Sequence, residues 1–248
     1  MIKNILVVAI ASSSMFVHAG PVQLVTGDDY APYADSKLRE GGLTTELVKK
    51  AFTEMKQEIK IEWRPWARGL AETKDGTFAA TFPYLRTAER EKDFDYSSPV
   101  NTIQDRAFVK KGNEKKFDFK NIASLAGTTY CLPLGWAPVK ILDEMLKNGK
   151  LKKSNPKDIS TCVKMVATDR ADFYITDEFQ GKAAMKTADI EAGMIVLADA
   201  PPLTETTLHL IVGKSSPGGK ELIANFDKAM ATLRKNGVYD KVITSHIK

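Results

Sequence analysis

The 248-residue chain has two cysteines and three histidines. The histidines, His18, His209 and His246, are far apart in the sequence. There is no His-Glu-x-x-His pair for a metal and no Gly-x-Ser-x-Gly elbow for a nucleophilic serine. We therefore expect neither a metal nor a cofactor, and no catalytic residues. Runs of one charge are also missing. Thirty-six Lys and Arg against 31 Asp and Glu leave a net charge of +5. The basic residues come in ones and twos, as in Lys49-Lys50, Lys110-Lys111 and Lys152-Lys153, without interleaved aromatics, which argues against nucleic acid as a partner. Sixteen Gly and 11 Pro are too few for a collagen-like or low-complexity chain, and 43% hydrophobic residues are too many for a disordered one. No internal repeat or Gly/Ser-rich linker interrupts the sequence. The most apolar run, Ile5 to Phe16, is broken by Ser12-Ser13-Ser14 and is shorter than the roughly 20 apolar residues a bilayer span requires.

That run instead has the layout of an export signal. Lys3 supplies a positive start, the apolar stretch follows, and Val17-His18-Ala19 places small residues at −3 and −1 of a cleavage site. Residues 1–19 are expected to be a signal peptide cut after Ala19, leaving a soluble periplasmic protein. No cysteine near the cut offers a lipid anchor. An oxidising compartment changes the meaning of Cys131 and Cys162. Cys131 lies in a β-like run and Cys162 near the start of an amphipathic helix, so one bridge could tie strand to helix, worth somewhat over ~3 kcal/mol in the chain-entropy model. Two buried free thiols are the alternative; the disulfide is the expectation carried forward.

Along the mature chain, strand and helix patterns alternate. Strands are expected at Val22–Thr26, Ile59–Trp63, Gly76–Tyr84 and Arg106–Val109. Helices are expected after Gly41-Gly42 and at Trp66–Thr73, with a polar helical turn at Thr87–Lys92. The pattern then restarts, with strands at Thr128–Leu134, Ala171–Thr176 and Met194–Ala198, and helices at Ala137–Lys147, Ile159–Thr168 and Glu178–Lys186. A strand at Leu208–Val212 precedes a strong amphipathic helix ending at Asn236-Gly237 and a short last helix. This is α/β architecture in two lobes. The extended runs 106–112 and 203–212 are the expected crossings between lobes, a pairing that suits a hinge. Residues 20–108 with 207–248 would form lobe 1, and residues 109–206 lobe 2.

Five motifs in this order resemble the family 3 extracellular solute-binding proteins, the amino-acid-type receptors of ABC importers. They are Tyr30-Ala-Pro-Tyr33, Gly41-Gly-Leu-Thr-Thr-Glu-Leu47, Thr87-Ala-Glu-Arg90 followed by Asp93-Phe-Asp-Tyr-Ser-Ser-Pro99, Asp169-Arg-Ala-Asp-Phe-Tyr-Ile-Thr-Asp177, and Leu233-Arg-Lys-Asn-Gly-Val-Tyr239. The resemblance covers nearly all of the mature chain. It implies a type II periplasmic binding protein fold, a small-molecule solute held between the lobes, and a membrane permease of an ABC importer as partner. The protein itself would be a monomer.

The resemblance also assigns residues. The Arg of Thr-x-x-Arg, here Arg90, would hold a carboxylate, for which the planar guanidinium fork is suited. Read from its neighbours Glu89 and Glu91 alone, Arg90 could equally be a solvated charge. Asp177 would accept from an ammonium group, or cap the helix starting near Glu178, or do both. Tyr30 matches the family's stacking aromatic. Trp66, Tyr84 and Trp136 are further candidates for the walls, whereas Trp63 reads as core. The chain departs from common amino-acid receptors in three places. It has Thr81-Phe82-Pro83-Tyr84 where small hydroxyl residues are usual, Gly135-Trp136 where a Gly-Thr is usual, and Gly27 where an acid is usual, with Asp28 and Asp29 displaced. These changes predict a more aromatic cleft. Two alternatives share the fold: an exported cyclohexadienyl dehydratase-like enzyme, for which no dedicated general acid stands out, and a ligand-sensing subunit for a membrane partner.

Overall fold

The computed structural model describes residues 20–247, so the expected signal peptide and its cleavage site lie outside the described residues. Strand β1 (Val22–Thr26) lies between β2 (Ile59–Trp63) and β3 (Ala80–Leu85), parallel to both. Parallel neighbours need crossovers, and helices α1 (Leu43–Glu54) and α2 (Trp66–Lys74) supply them. Helix α1 buries Leu43, Leu47, Val48, Ala51 and Phe52, the apolar stripe seen in its sequence. A short strand β4 (Phe94–Tyr96) then leads into the ten-residue β5 (Asn101–Lys110).

The second half of the chain repeats the pattern. Strand β6 (Thr129–Cys131) is followed by α3 (Lys140–Lys147), β7 (Lys152–Ser154), α4 (Ile159–Ala167), β8 (Phe173–Thr176), α5 (Glu178–Ala188) and β9 (Ile195–Leu197). Strand β10 (Thr204–Gly213) returns the chain to the first half, where α6 (Gly219–Lys235) and α7 (Val238–His246) complete it. The strand order is β2-β1-β3-β10-β5-β8-β6-β7, with β4 beside β10 and β9 beside β5.

Strands β5 and β10 join the two halves. The first part of β5 pairs antiparallel with β10, from Asn101 opposite Leu208 to Asp105 opposite Thr204. Its second part, Arg106–Val109, pairs with β8. Strand β10 likewise pairs with β5 at its start and with β3 and β4 at its end. Strand β5 therefore takes part in both sheets, with β10 beside its first part, and both lie where the sequence places the crossings. One apolar core forms around β1, β3, α1 and α6. Two more lie around β8, one with Phe119, Tyr130 and Phe173, the other with Phe108, Cys162 and Tyr174. Trp136 packs against all three.

Several elements differ from expectation for local reasons. Helix α3 starts at Lys140 instead of Ala137, because a residue before proline, here Pro138, is pushed out of the helical region and Val139 stays extended (φ −60°, ψ 140°). Strand β6 stops at Cys131: Pro133 has no N–H for a ladder, although Leu132 and Leu134 still donate to the carbonyls of Ser154 and Pro156. Strand β7, Lys-Lys-Ser, carries no apolar alternation. It is an exposed edge strand of the charged kind that discourages pairing with other chains. No helix of the described residues is long and apolar enough to cross a membrane.

Cys131 and Cys162 form a disulfide with Cα atoms 5.5 Å apart and a sequence separation of 31. It ties β6 to α4, and both cysteines are buried. Reduction is expected to lower the free energy of unfolding by about 3–4 kcal/mol, the loop-closure value for this separation. Urea unfolding with and without reductant measures this, and coincident curves would mean that the bridge contributes nothing.

Candidate functional site

The loop after β1 is held in place by the start of α1. The first N–H groups of a helix have no partner within it, and here Leu43 and Thr44 donate to the carbonyls of Pro32 (2.8 Å) and Tyr33 (2.9 Å). This close approach requires glycine just before the helix. Gly42 has φ +98°, and a Cβ there would sit 2.7 Å from the Pro32 carbonyl oxygen. The Tyr30-Ala-Pro-Tyr33 and Gly-Gly motifs are therefore two sides of one contact, which presents Tyr30 and Tyr33 to the space between the lobes.

Aromatic rings wall that space. Trp66, the first residue of α2, lies across Gly27, where any Cβ would fall 2.3 Å from the indole. Its Nε1 donates to Asp29 Oδ1 (2.8 Å) and to the Asp28 carbonyl (3.0 Å). Tyr84 donates its hydroxyl to the Trp66 carbonyl (2.9 Å) and meets the indole edge-on at 5.8 Å. Tyr30 packs edge-on against Trp66 (6.0 Å) and against Trp136 (5.2 Å), which arrives from the other lobe. A cavity of about 50 Å³ remains, lined by these four aromatics together with Arg90, Asp105, Tyr130 and Thr176. This is far smaller than the usual ligand pocket. A bound solute therefore requires the lobes to part or Trp136 to move. Trp63 packs against the first core, in line with its reading as a core residue.

Arg90 is buried, with 9% of its surface exposed. Glu89 and Glu91 turn to Lys92 and Arg86 instead. The guanidinium donates to the carbonyl of Leu85 (3.1 Å) and, across the cleft, to that of Gly135 (2.8 Å). It also lies 4.8 Å over the Tyr84 ring. Among the described residues it has no carboxylate partner, and burial pushes its pKa down. Gly135 allows the approach: with φ +85°, a Cβ there would stand 2.4 Å from the Ala67 nitrogen.

Asp177 caps α5. Its Oδ1 accepts from the backbone of Phe179 (3.0 Å) and Gln180 (3.2 Å), and also from the Tyr33 hydroxyl of the other lobe (2.9 Å). Its Oδ2 is buried without a partner among the described residues. Asp177 stands behind the cavity wall, whereas its neighbour Thr176 lines the cavity. Asp29 makes a further link between lobes, accepting from the Ile159 backbone at the start of α4 (3.3 Å), while its own carbonyl accepts from Gln180 Nε2 (2.6 Å). Burial raises both carboxyls from the ordinary 3.8 to about 6.

The structure brings Tyr30, Trp66, Tyr84, Arg90 and Trp136 around one cavity, with Asp177 just behind it. Sequence reasoning missed Asp105, a buried acid on β5 that lines the same cavity. The available signal was alternation: Asn101, Ile103, Asp105 and Ala107 share the buried face of β5. His209 is buried between the Ser97 carbonyl and the Thr207 hydroxyl, both 2.8 Å away, and burial lowers its pKa. No described cluster of three or more His, Cys, Asp or Glu is placed to hold a metal.

Two lobes joined by two extended strands around a buried cavity define the type II periplasmic binding protein fold. The chain belongs to the bacterial extracellular solute-binding proteins, family 3, whose profile matches residues 22–248. No curated protein matches it in sequence. Among solved structures it is similar to an ancestral arginine-binding protein bound to arginine, with a TM-score of 0.77, 19% identity, and 93% of this chain and 99% of that one covered. It is also similar to an amino acid ABC transporter substrate-binding protein from Streptococcus pneumoniae bound to L-arginine, with a TM-score of 0.72, 22% identity, and 92% and 94% covered. A third is an ancestral amino-acid-binding protein described as a precursor of cyclohexadienyl dehydratase, with a TM-score of 0.73, 24% identity, and 92% and 96% covered. At these identities the likeness carries the fold.

A carboxyl with a raised pKa in the folded protein adds most to stability when protonated. The contributions of Asp29 and Asp177 are therefore full below about pH 4 and are lost as the pH rises through about 6. Asn caps helices as well as Asp does. Asp177→Asn should thus gain stability relative to wild type as the pH rises from 4 to 7, measured by urea unfolding at each pH. A gain running the other way would mean that the carboxylate is stabilised in place.

Proposed function

We propose that this protein is a periplasmic receptor that binds a small carboxylate-bearing solute, an amino acid or a close relative, between its lobes and passes it to the membrane permease of an ABC importer. The observation that carries this reading is Arg90. A buried guanidinium with no acid partner among the described residues, held by two carbonyls and an aromatic face, is a costly arrangement that a carboxylate relieves through a paired fork of hydrogen bonds. Asp177 Oδ2 is the acceptor we assign to the ammonium group, while Oδ1 keeps its capping role. Tyr30, Trp66, Tyr84 and Trp136 close around the solute's apolar part. Contacts to Arg90 on one lobe and Asp177 on the other would favour the closed arrangement over an open one. The signal-like segment 1–19 supports export, and we read the mature protein as monomeric.

One observation supports a second reading, a dehydratase-like enzyme. Burial raises the carboxyls of Asp29 and Asp177 to about 6, and a carboxyl that titrates close to the working pH is suited to general-acid work. We favour the receptor because Asp29 and Asp177 are both committed to hydrogen bonds between lobes.

A thermal-shift screen of residues 20–248 against amino acids, oligopeptides, aromatic acids, polyamines and prephenate is expected to pick out one carboxylate class. Arg90→Lys, which keeps the charge and loses the fork, should weaken that solute about tenfold or more. Equal affinity for the two proteins would remove Arg90 from the site. Formation of phenylpyruvate from prephenate or arogenate would favour the enzyme.

A further inference from the structure

Asp105 lies midway along β5, in the stretch where the two crossing strands pair, and is 3% exposed. The hydroxyls of Thr204 and Thr206, both on β10, donate to its Oδ2. Its Oδ1 accepts no hydrogen bond from a described residue, and the side chain lines the cavity that Arg90 also faces. Two hydroxyls of one strand thus hold one carboxylate oxygen and leave the other available. An acid buried this way is costly unless a cation or a donor completes it.

Charge balance decides what that partner is. Among the described residues, the cavity is lined by one fixed cation, Arg90, and by Asp105, whose Oδ2 alone accepts hydrogen bonds, while Asp177 behind the wall has Oδ2 buried without a partner. An ordinary amino acid brings one carboxylate and one ammonium group. It satisfies Arg90 and one acid, and leaves the other acid bare. A second cationic nitrogen completes the set. The aromatic walls fit the same ligand, since methylene stems pack on flat rings and ring faces attract cations.

We propose that Asp105 is a specificity-determining contact for a second cationic nitrogen, so that the solute is an α-amino acid whose side chain ends in an ammonium or guanidinium group. This rests on the reading of Arg90 as the carboxylate site. Asp105 contacts the side-chain end of the solute, and Thr204 and Thr206 position Asp105.

The test is calorimetric titration of residues 20–248 with L-lysine, L-ornithine and L-arginine against the uncharged analogues L-norleucine, L-glutamine and L-citrulline, and against L-glutamate. At least one basic amino acid is expected to bind about tenfold or more tighter than its uncharged analogue. In Asp105→Asn, which keeps the shape and an acceptor for the threonines, that preference should fall to about threefold or less, with affinity for the uncharged analogue little changed. Binding of uncharged analogues or glutamate as tightly as basic amino acids would overturn the proposal and leave the receptor reading standing. So would an Asp105→Asn variant that weakens every amino acid alike. If no amino acid binds wild type, the receptor reading falls and the proposal with it. Should Asp105→Asn fail to fold, the ranking of ligands by wild type decides alone.

Discussion

The guanidinium of Arg90 is held by a carbonyl from each lobe. Burying a cation without a counter-ion is among the more expensive things a protein can do, and here the cost is met by the Leu85 and Gly135 carbonyls and the face of Tyr84. The surroundings follow from that requirement. Tyr84 is fixed by its bond to the Trp66 carbonyl, Trp66 lies flat because Gly27 has no side chain, and Gly135 reaches α2 because it too has none. Any substitution that moves one of these groups moves the partners of the charge.

The same groups close the two lobes on each other. Arg90 to Gly135, Tyr33 to Asp177, Gln180 to Asp29 and Ile159 to Asp29 are hydrogen bonds between lobes. Hydrogen bonds of this kind are worth modest amounts singly, and two involve carboxyls whose burial raises their pKa. Strand β5, which pairs with β10 in one sheet and with β8 in the other, runs continuously from lobe to lobe.

Much of this was legible in the chain. Helical periodicity located α1, α2, α4 and α6, the two crossings were visible as extended runs, and the Cys131–Cys162 bridge followed from there being two cysteines and an expected export signal. What went unread had local causes. Pro133 and Pro138 shortened β6 and delayed α3, and β7 owes its pairing to its neighbour β6 and not to its own Lys-Lys-Ser. Asp105 was overlooked because motif reading looks for acids at loops and strand ends, whereas this one sits mid-strand in the phase occupied by Ile103 and Ala107.

Taken by itself, the sequence determined the alternation of elements, the two-lobe plan and the motifs of the family, because periodicity and turn residues are local properties. Tertiary structure alone decided that Arg90 is buried and without an acid among the described residues, that Trp136 touches all three cores, and that Asp105 shares a cavity with Arg90. These are facts about residues distant in the chain, such as Tyr30 and Trp136, that meet only in the folded structure. No pattern within one segment encodes the partner a charge will lack.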